Sequence, residues 1–559
     1  MIWMVVVLSM VVLAVGYLTY GRFLGRYMGL DDKCITPAHQ VNDGLDFVPA
    51  KAPLLLGQHF SAIAAAGPIV GPVLAGIWFG WLPTVLWILF GAILIGGVHD
   101  FVTLTASLRH RGASIGQIAK QYFPAGTHIF FLSFIWLALL YVIAAFTDIT
   151  AQTFKAVTEG QAFGPAVAAS SILYLALAVV MGVLLYRYKA RLGVVTAIFL
   201  PLVLLSVWVG PRLPTSILGA LGSVSVKQWD VLLLVYCFVA SVIPVWILLQ
   251  PRGYLGGWLL YLTIAIGLLG ALFGGFKIEY PALNLHGLHS LAAGNQLVFP
   301  FLFITVACGA CSGFHSIVAS GTTSKQVNKE SDAKPIGYGA MLLEGLVAVL
   351  ALATVMMLAP GSEALKSDPN VVYAKGLATY MGLLGVGMQV ALPFALLAFS
   401  TFVYDTLDVA TRLARYILQE ITGWKGFWGG CLATLVSLAI PLIFLLSAKE
   451  KAYLVAWPIF GSSNQMLASL TLLALSIWLV RCGKRAIFVV LPMLFMLVTT
   501  TVALVLQVWP FLKGLYQGTT LEAKVVTSGV CGIVLLGLAV LSVAAALRSW
   551  RSARQAQPA

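Results

Sequence analysis

Two histidines inside apolar stretches have the greatest capacity for chemistry in this sequence. His59 precedes the small-residue run Ser61 to Gly67, and His315 precedes the similar run Ser316 to Gly321. Histidine changes its charge near neutral pH, and an ionisable side chain within an apolar segment usually faces a cavity or a polar partner. We therefore expect proton coupling, or pairing with an anionic substrate, at both residues. The alternative is a neutral histidine tied to a backbone carbonyl, which would hold the chain in a fixed bend.

Carboxylates form the second group of candidates. Glu344 lies in an apolar segment with no basic residue within one helical turn, so it must be neutral or paired with another helix. It is a candidate proton site. Asp100 stands near the end of its own segment and is expected on the cytoplasmic side. There it would either carry protons or anchor the helix through a salt bridge.

A set of charges further along the chain is spaced for ion pairs. Asp408 and Arg412 are four residues apart, a separation at which opposite charges meet on a helix face. Together with Asp405 and Arg415 they predict an ion-pair ladder on the cytoplasmic side. Such a ladder would act as a gate or an anchor, and proton carriage by the carboxylates is the alternative.

Two further features have residue types that could bind a ligand. Cys308, Cys311 and His315 are separated by three and four residues, which would place them on one helix face. Structural zinc sites favour four ligands, and because no fourth is evident we expect no metal site. The amide of Gln58 would either join helices by hydrogen bonds or contact the substrate.

The elements that must position these residues are membrane-spanning helices. The 559 residues are 60% hydrophobic and 9% charged, with a mean hydropathy of +0.97. Too few charges are present to cover a water-facing surface, so lipid must be the solvent. A helix crosses a bilayer with about 20 apolar residues, and the sequence predicts about 15 such spans. They begin near Ile2, Leu55, Leu82, His128, Ala166, Leu192, Trp229, Tyr254, Val298, Ile336, Leu383, Phe427, Tyr453, Ile487 and Val525.

The distribution of basic residues predicts the orientation. Connections after odd-numbered spans, with the C-terminal tail, hold about two thirds of all lysines and arginines, and such connections face the cytoplasm. The N-terminus is therefore expected outside, and the tail with Arg548, Arg551 and Arg554 inside. The net charge of +14 is explained by this topology, so no nucleic-acid partner is expected.

Two predicted spans contain helix breakers. Gly67-Pro68 and Gly71-Pro72 fall within span 2, and Gly309, Gly313 and Gly321 fall within span 9. Proline removes a helix donor and clashes with the preceding turn, so we expect interrupted helices, although small residues also favour close helix packing.

The two interrupted spans are seven helices apart and so should cross in opposite directions. This predicts a five-plus-five inverted repeat, in which interrupted helices mark the substrate site and their half-helix N-termini attract carboxylates. The expected substrate contacts are Gln58, His59, Ala65, Ala66, Gly67, Gly309, Ser312, Gly313 and His315.

The predicted fold is a single all-α polytopic membrane domain. It consists of a first helix and cytoplasmic loop (1–54), a first repeat (55–210), two intervening helices (229–276), a second repeat (297–480), and two peripheral helices with a basic tail (486–559).

Several ordered blocks of sequence resemble the carbon starvation protein A (CstA) family of bacterial inner-membrane transporters along nearly the whole chain. The blocks are Asn42-Asp43-Gly44, Asp46 to Pro49, Gly57 to Phe60, Gly67-Pro68, Gly71-Pro72, Ala307 to Ala310, Ser312 to Ser316, Ser320 to Gln326, Thr406 to Asp408, Ala410 to Leu413, Trp457-Pro458, Phe460-Gly461 and Asn464-Gln465. The chain departs from the family pattern at Cys311 and at Tyr404-Asp405, where an aliphatic residue and threonine are expected.

The resemblance implies uptake of pyruvate or small peptides across the bacterial cytoplasmic membrane, coupled to protons. It also implies membership of the amino acid–polyamine–organocation superfamily, whose five-helix repeats agree with the parity above. By analogy with sodium-coupled members, Ser400 and Thr401 are candidates for a sodium site with span 2. No cofactor is expected besides the coupling ion, H⁺ or Na⁺.

The expected function is therefore a symporter working by alternating access. No GxxxxGK[ST] motif is present, and Gly461-Ser462-Ser463 lacks the GxSxG pattern of a nucleophile elbow, so neither ATP-driven transport nor catalysis is expected. A channel and a nutrient-sensing receptor remain the rival interpretations, and the sequence leaves the oligomeric state open.

Overall fold

A computed structural model describes residues 1–43, 47–124, 126–158, 160–244, 246–284, 297–448, 451–518 and 521–555. Gly44 and Asp46 of the family-like blocks lie outside the described residues.

The described chain is helical apart from its connections and one two-stranded hairpin, Val157–Thr158 with Gln161–Ala162. The α-helices are Ile2–Leu18, Tyr20–Met28, Pro37–Gln40, Ala52–Ile63, Gly67–Phe79, Trp81–Gly91, Gly97–Arg109, Ile115–Tyr122, His128–Thr153, Gly164–Tyr186, Leu192–Val209, Thr215–Ser223, Val226–Val242, Leu249–Phe273, Val298–Thr305, Phe314–Gly321, Ala340–Met356, Pro369–Gly382, Met388–Thr422, Gly426–Ser447, Ala452–Arg481, Ile487–Gln517 and Ala523–Gln555.

The chain is a multi-pass membrane protein. Twelve of its helical segments are long and apolar enough to cross a bilayer, and two bent helix pairs bring the number to 14. The predicted count of 15 is not confirmed by this criterion. The predicted span that begins near Val298 is divided into two helices of 8 residues each, Val298–Thr305 and Phe314–Gly321, and neither is long enough alone.

Both predicted interruptions are present. The first broken helix consists of Ala52–Ile63 and Gly67–Phe79, which meet at an angle of 46°. Pro68 stands in the first turn of the second half, where a helix needs no backbone donor, so the proline helps to start this half. The second broken helix consists of Val298–Thr305 and Phe314–Gly321, with non-helical chain between them.

The two broken helices run antiparallel and touch along their length. At one end the Ala50 amide donates to the Gln326 carbonyl at 2.9 Å, joining the start of the first to the end of the second. Nearby, the Ser331 amide and hydroxyl donate to Asp32, and these hydrogen bonds hold the pKa of Asp32 below its usual value. This end of the pair is therefore tied to the loop that precedes the first broken helix.

The core of the bundle is formed by a few central helices. Glu330–Met356, Met388–Thr422 and Trp457–Arg481 are mostly buried, whereas about a third or less of Ile2–Met28 and Val525–Ser549 is buried. In a membrane protein such exposed apolar faces suit contact with lipid. The candidate site residues lie on the buried helices and on the two broken helices.

Candidate functional site

Two histidines and two carboxylates meet beside the second broken helix. This acid–histidine cluster consists of His99 and Asp100 on Gly97–Arg109, His315 at the start of Phe314–Gly321, and Glu344 on Ala340–Met356, all of them buried. His315 Nδ1 lies 2.7 Å from Asp100 Oδ2, and His99 Nδ1 lies 2.7 Å from Asp100 Oδ1. His315 Nε2 lies 3.2 Å from Glu344 Oε2. The cluster thus joins three separate segments of the chain.

A proton is needed between His315 and Glu344. Because the Asp100 carboxylate accepts the hydrogen bond from His315 Nδ1, the His315 Nε2 atom carries either a second proton or a lone pair. A lone pair facing an ionised carboxylate at 3.2 Å would be repulsive in the buried interior. Neither Nε2 nor Oε2 makes an aligned hydrogen bond with the described residues. The pair therefore holds a proton on one of the two atoms, and removing that proton leaves an unbalanced charge.

Asp100 is buried against His99 and His315 inside the bundle, and its helix continues beyond it to Arg109. We expected this residue near the end of its span on the cytoplasmic side, and that side of the membrane stays a prediction. Glu344 was expected to be neutral or to pair with another helix, and its neighbour is His315. Asp100 is 215 positions from His315 in the sequence, and Glu344 lies on a different helix from both, so spacing alone gives no signal that they meet.

The backbone of the second break already has acceptors within the protein. The Gly309 amide donates to Glu344 Oε1 at 2.9 Å, and the Gly313 amide donates to the Asn464 carbonyl at 3.0 Å. The side chain of Asn464 donates to the Ser312 hydroxyl at 3.0 Å. Of these acceptors, Glu344 presents the same chemical group as the expected substrate carboxylate.

The first break lies directly against the second. A Cβ atom on Gly67 would stand 2.3 Å from the Cys308 Cβ, and one on Gly71 would stand 2.5 Å from the Thr305 carbonyl oxygen. Ala65 and Ala66, the other predicted contacts in this break, are buried. The glycines are needed here because any side chain would separate the two breaks.

Replacing Gly67 by alanine should therefore reduce transport sharply by separating the breaks. Overpacking of this kind costs about 1–3 kcal/mol. Thermal unfolding and substrate uptake measure the effect, and the pair Gly67→Ala with Cys308→Gly should recover much of it, since it removes the clashing atom. An unchanged Gly67→Ala protein would show that the two breaks are not in contact.

His59 lies on the first broken helix and faces a different set of partners. Its Nδ1 is 2.8 Å from the Thr323 hydroxyl, and its Nε2 has no hydrogen-bond partner among the described residues. With Gln58 and Asp405 it lines a small cavity between the broken helices and Met388–Thr422. The alternative, a hydrogen bond from this histidine to a backbone carbonyl, is therefore not formed among the described residues. Its Nε2 is available for a hydrogen bond inside the core.

A second buried charge group, the arginine cluster, lies beyond His59. It consists of Arg252, Asp405, Asp408 and Tyr236. Arg252 Nε lies 2.8 Å from Asp405 Oδ1, and its Nη1 lies 2.6 Å from Asp408 Oδ2. The Tyr236 hydroxyl donates to Asp408 at 2.8 Å. The Ser61 hydroxyl of the first broken helix donates to Asp405, so this cluster is linked to the first break.

The ion-pair ladder predicted along one helix is wrong in its partners. Asp405 and Asp408 pair with Arg252 of another helix, while Arg412 donates to the carbonyls of Ala240 and Ile243 at 2.7 and 2.8 Å. The carboxylates are also buried rather than at a surface. Whether the cluster acts as a gate stays a prediction.

Arg252 is the residue that the sequence reasoning missed. It was counted among the loop charges, but Leu249–Phe273 begins before it, so Arg252 is buried in the first turn. Gly256, one helical turn later, is the sequence feature that could have indicated a buried partner close to this helix. A Cβ there would lie 2.4 Å from Asp405 Oδ2, so the small residue makes room for the carboxylate.

The hydroxyls proposed for sodium make no direct hydrogen bond to the first broken helix among the described residues, and the sodium site stays a prediction. Ser400 donates to the Leu397 carbonyl of its own helix at 2.9 Å, and the buried Thr401 hydroxyl has no hydrogen-bond partner among the described residues. Thr406 donates to the Ala62 carbonyl at 3.1 Å. The hydrogen bonds between this helix and the first broken helix are made by Asp405 and Thr406, which lie one to two turns further along.

The expected cysteine face is not formed, because Cys308 and Cys311 lie in the non-helical chain of the second break. Ligand atoms of Cys308, His315 and Glu344 instead lie within 4.8 Å of one another. Three ligands fall short of the four that structural zinc sites favour, so the absence of a metal site stays a prediction.

Comparisons with known proteins identify the family of this chain. The family profile described as carbon starvation protein CstA matches residues 1–374 and 361–503. The peptide transporter CstA of Bacillus subtilis (strain 168) is 31% identical, over 98% of this chain and 96% of its own length. The pyruvate/proton symporter BtsT of Escherichia coli (strain K12) is 30% identical, over 94% of this chain and 84% of its own length.

Among solved structures, a manganese transporter of Eremococcus coleocola matches 92% of this chain and 99% of its own with a TM-score of 0.49 and 12% identity. That similarity is too low to support a statement about fold or substrate. The profile match and the two relatives are sufficient: the chain belongs to the carbon starvation protein CstA family.

Proposed function

We propose that this protein is a symporter that imports a small carboxylate-bearing nutrient, pyruvate or a short peptide, together with a proton. The observation that carries the proposal is the position of Glu344, whose carboxylate lies between the Gly309 amide and His315 at the second break. The names of the two relatives, a peptide transporter and a pyruvate/proton symporter, support both the substrate class and the coupling ion.

Competition between two carboxylates supplies the coupling in this proposal. Ionised Glu344 holds the Gly309 amide and His315 Nε2, and hydrogen bonds to an ionised acceptor are about twice as strong as neutral ones. Protonation of Glu344 weakens these two hydrogen bonds, and the substrate carboxylate then accepts hydrogen bonds from the Gly309 amide and His315 Nε2 instead. Loss of the proton on the other side restores Glu344 and expels the substrate. One proton and one carboxylate therefore move together.

Alternating access follows from binding the two partners differently in two conformations. A ligand shifts a conformational balance only by its difference in affinity for the two states. We propose that the broken helices move against the surrounding helices, and that they are the first helices of the two five-helix inverted repeats. Asp405 and Asp408 with Arg252 would close the pathway in one of the states. We propose that the protein lies in the bacterial inner membrane with its N-terminus outside.

Uptake into proteoliposomes tests the proposal. Labelled pyruvate and dialanine should accumulate against their gradients when the external side is more acidic, and collapse of the proton gradient by an ionophore should stop accumulation. Flux that only equalises the concentrations would indicate a channel. Absence of any flux, with substrate still bound, would favour a nutrient sensor.

Sodium coupling is a second candidate. It is favoured by the unpartnered, buried Thr401 hydroxyl among the described residues and by the Thr406 contact with the Ala62 carbonyl beside the first break. Carbonyls freed at a helix break, together with hydroxyls, suit a sodium ion. Accumulation driven by a sodium gradient at equal pH on both sides would select this alternative.

A further inference from the structure

A large cavity lies apart from both charge clusters. Its volume is about 450 Å³, and it is lined by the hairpin, the end of Ala340–Met356, one side of Pro369–Gly382 and the start of Met388–Thr422. It opens at the ends of these helices that are remote from the contact between Ala50 and Gln326. The distribution of lysine and arginine predicts that this contact faces the cytoplasm, and on that prediction the cavity opens to the outside.

Lys375 is the one charged side chain among the described residues that line the cavity. It is half-buried, and no carboxylate of the described residues lies within ion-pair distance of its ammonium group. The nearest acids in the sequence have other partners, since Glu363 pairs with Lys366 at 2.6 Å and Asp368 pairs with Lys451 at 2.8 Å. The ammonium group is therefore available to an anion that enters the cavity.

The remaining lining is suited to a small organic molecule. The amides of Gln161 and Gln389 and the hydroxyl of Thr379 stand around Lys375, with apolar side chains such as Phe163 and Leu392 completing the wall. Sites for small ligands have volumes of about 300–1,000 Å³, with a few polar groups on mainly apolar walls. This cavity has room for a peptide of a few residues as well as for pyruvate.

We propose that this cavity is an outer recognition site for small organic carboxylates, with Lys375 pairing with the carboxylate before the substrate reaches the second break. The inference rests on the proposed function, because it assigns the site to the same substrate on its way in. It adds a residue and a location that the acid–histidine cluster does not contain. A charge at the mouth of a binding path acts mainly on association and makes it sensitive to salt.

Kinetics of the Lys375→Gln variant test the inference. The KM for pyruvate and for dialanine should rise about three- to tenfold at low salt with the maximal rate unchanged, since a tenfold change corresponds to one ordinary charge-assisted contact. High salt should remove most of the difference, and Lys375→Arg should keep the KM within about twofold of wild type. Lys366→Gln, which removes an exposed lysine already paired with Glu363, is the matched control.

Further measurements distinguish pyruvate from peptide as the substrate, and the outer site from the proposed symport function. A rise in KM for only one substrate would identify the natural source of the carboxylate, and dialanine amide, which lacks the carboxylate, should not distinguish Lys375→Gln from wild type. An unchanged KM for both substrates in a working transporter would overturn this inference alone. If wild-type protein shows no uptake, the proposed function fails, and calorimetric titration with pyruvate then decides whether Lys375 contributes to binding.

Discussion

Replacing Glu344 by glutamine should abolish proton-driven uptake while leaving the exchange of labelled for unlabelled substrate largely intact. The glutamine carbonyl can still accept from the Gly309 amide, and its amino group can donate to His315, so the second break keeps its contacts. The glutamine cannot exchange a proton, however, and it resembles protonated Glu344 permanently. We expect proton-driven accumulation to fall by about 100-fold or more, the effect typical of losing a positioned proton-transfer group.

His315→Ala should behave differently and lose both activities. It removes the proton-binding partner of Glu344 and leaves Asp100 with His99 as its one remaining histidine neighbour in the cluster. Replacement of His39, an exposed histidine bonded to the Asn328 side chain, should change neither activity. Uptake and exchange are measured on the same proteoliposomes, so differences in reconstitution cancel. Wild-type accumulation by Glu344→Gln would remove this carboxylate from the coupling mechanism.

The broken helices could be predicted because their cause is local. Gly67-Pro68 and Gly71-Pro72 in an apolar span cannot form a regular helix, and parity along the chain then predicts that the two broken helices cross in opposite directions. The structure has both breaks and the antiparallel contact. His59, His315 and Glu344 could also be selected, since an ionisable group in an apolar segment is costly and needs a reason.

The partners of these groups could not be predicted, because they depend on packing between distant segments. Asp408 and Arg412 have the spacing of a helical ion pair, but Arg252 of another helix lies closer to both carboxylates and is fully buried with them. The four-residue spacing rule gives only the partners available along one helix. Buried carboxylates need a cation beside them, and one arginine from another helix can pair with both. The contacts of Asp100 with His99 and His315 were missed for the same reason, since loop counting locates helix ends but not side-chain contacts.

Removing Arg252 is expected to have the largest effect on folding. The guanidinium is enclosed by Asp405 and Asp408 and receives further support from the Tyr236 hydroxyl and from the nearby Tyr404 ring. Arg252→Ala would leave two buried carboxylates without their cation, and breaking a buried ion pair in this way costs about 3–5 kcal/mol. Unfolding in mixed micelles, followed by the fraction of monodisperse protein, should report a loss of that size. Arg212→Ala, which removes an exposed arginine stacked on Trp208, is the matched control and should be close to neutral.

A triple variant separates structure from function at this cluster. Arg252→Met with Asp405→Asn and Asp408→Asn removes all three charges at once, so most of the lost stability should return, as neutral replacements of buried ion pairs often fold well. Transport should not return with it if the cluster closes the pathway, because a gate depends on charges that separate and reform. A triple variant that transports like wild type would assign Arg252 to folding alone. An Arg252→Ala protein as stable as wild type would mean that the two carboxylates are already neutral or have another cation.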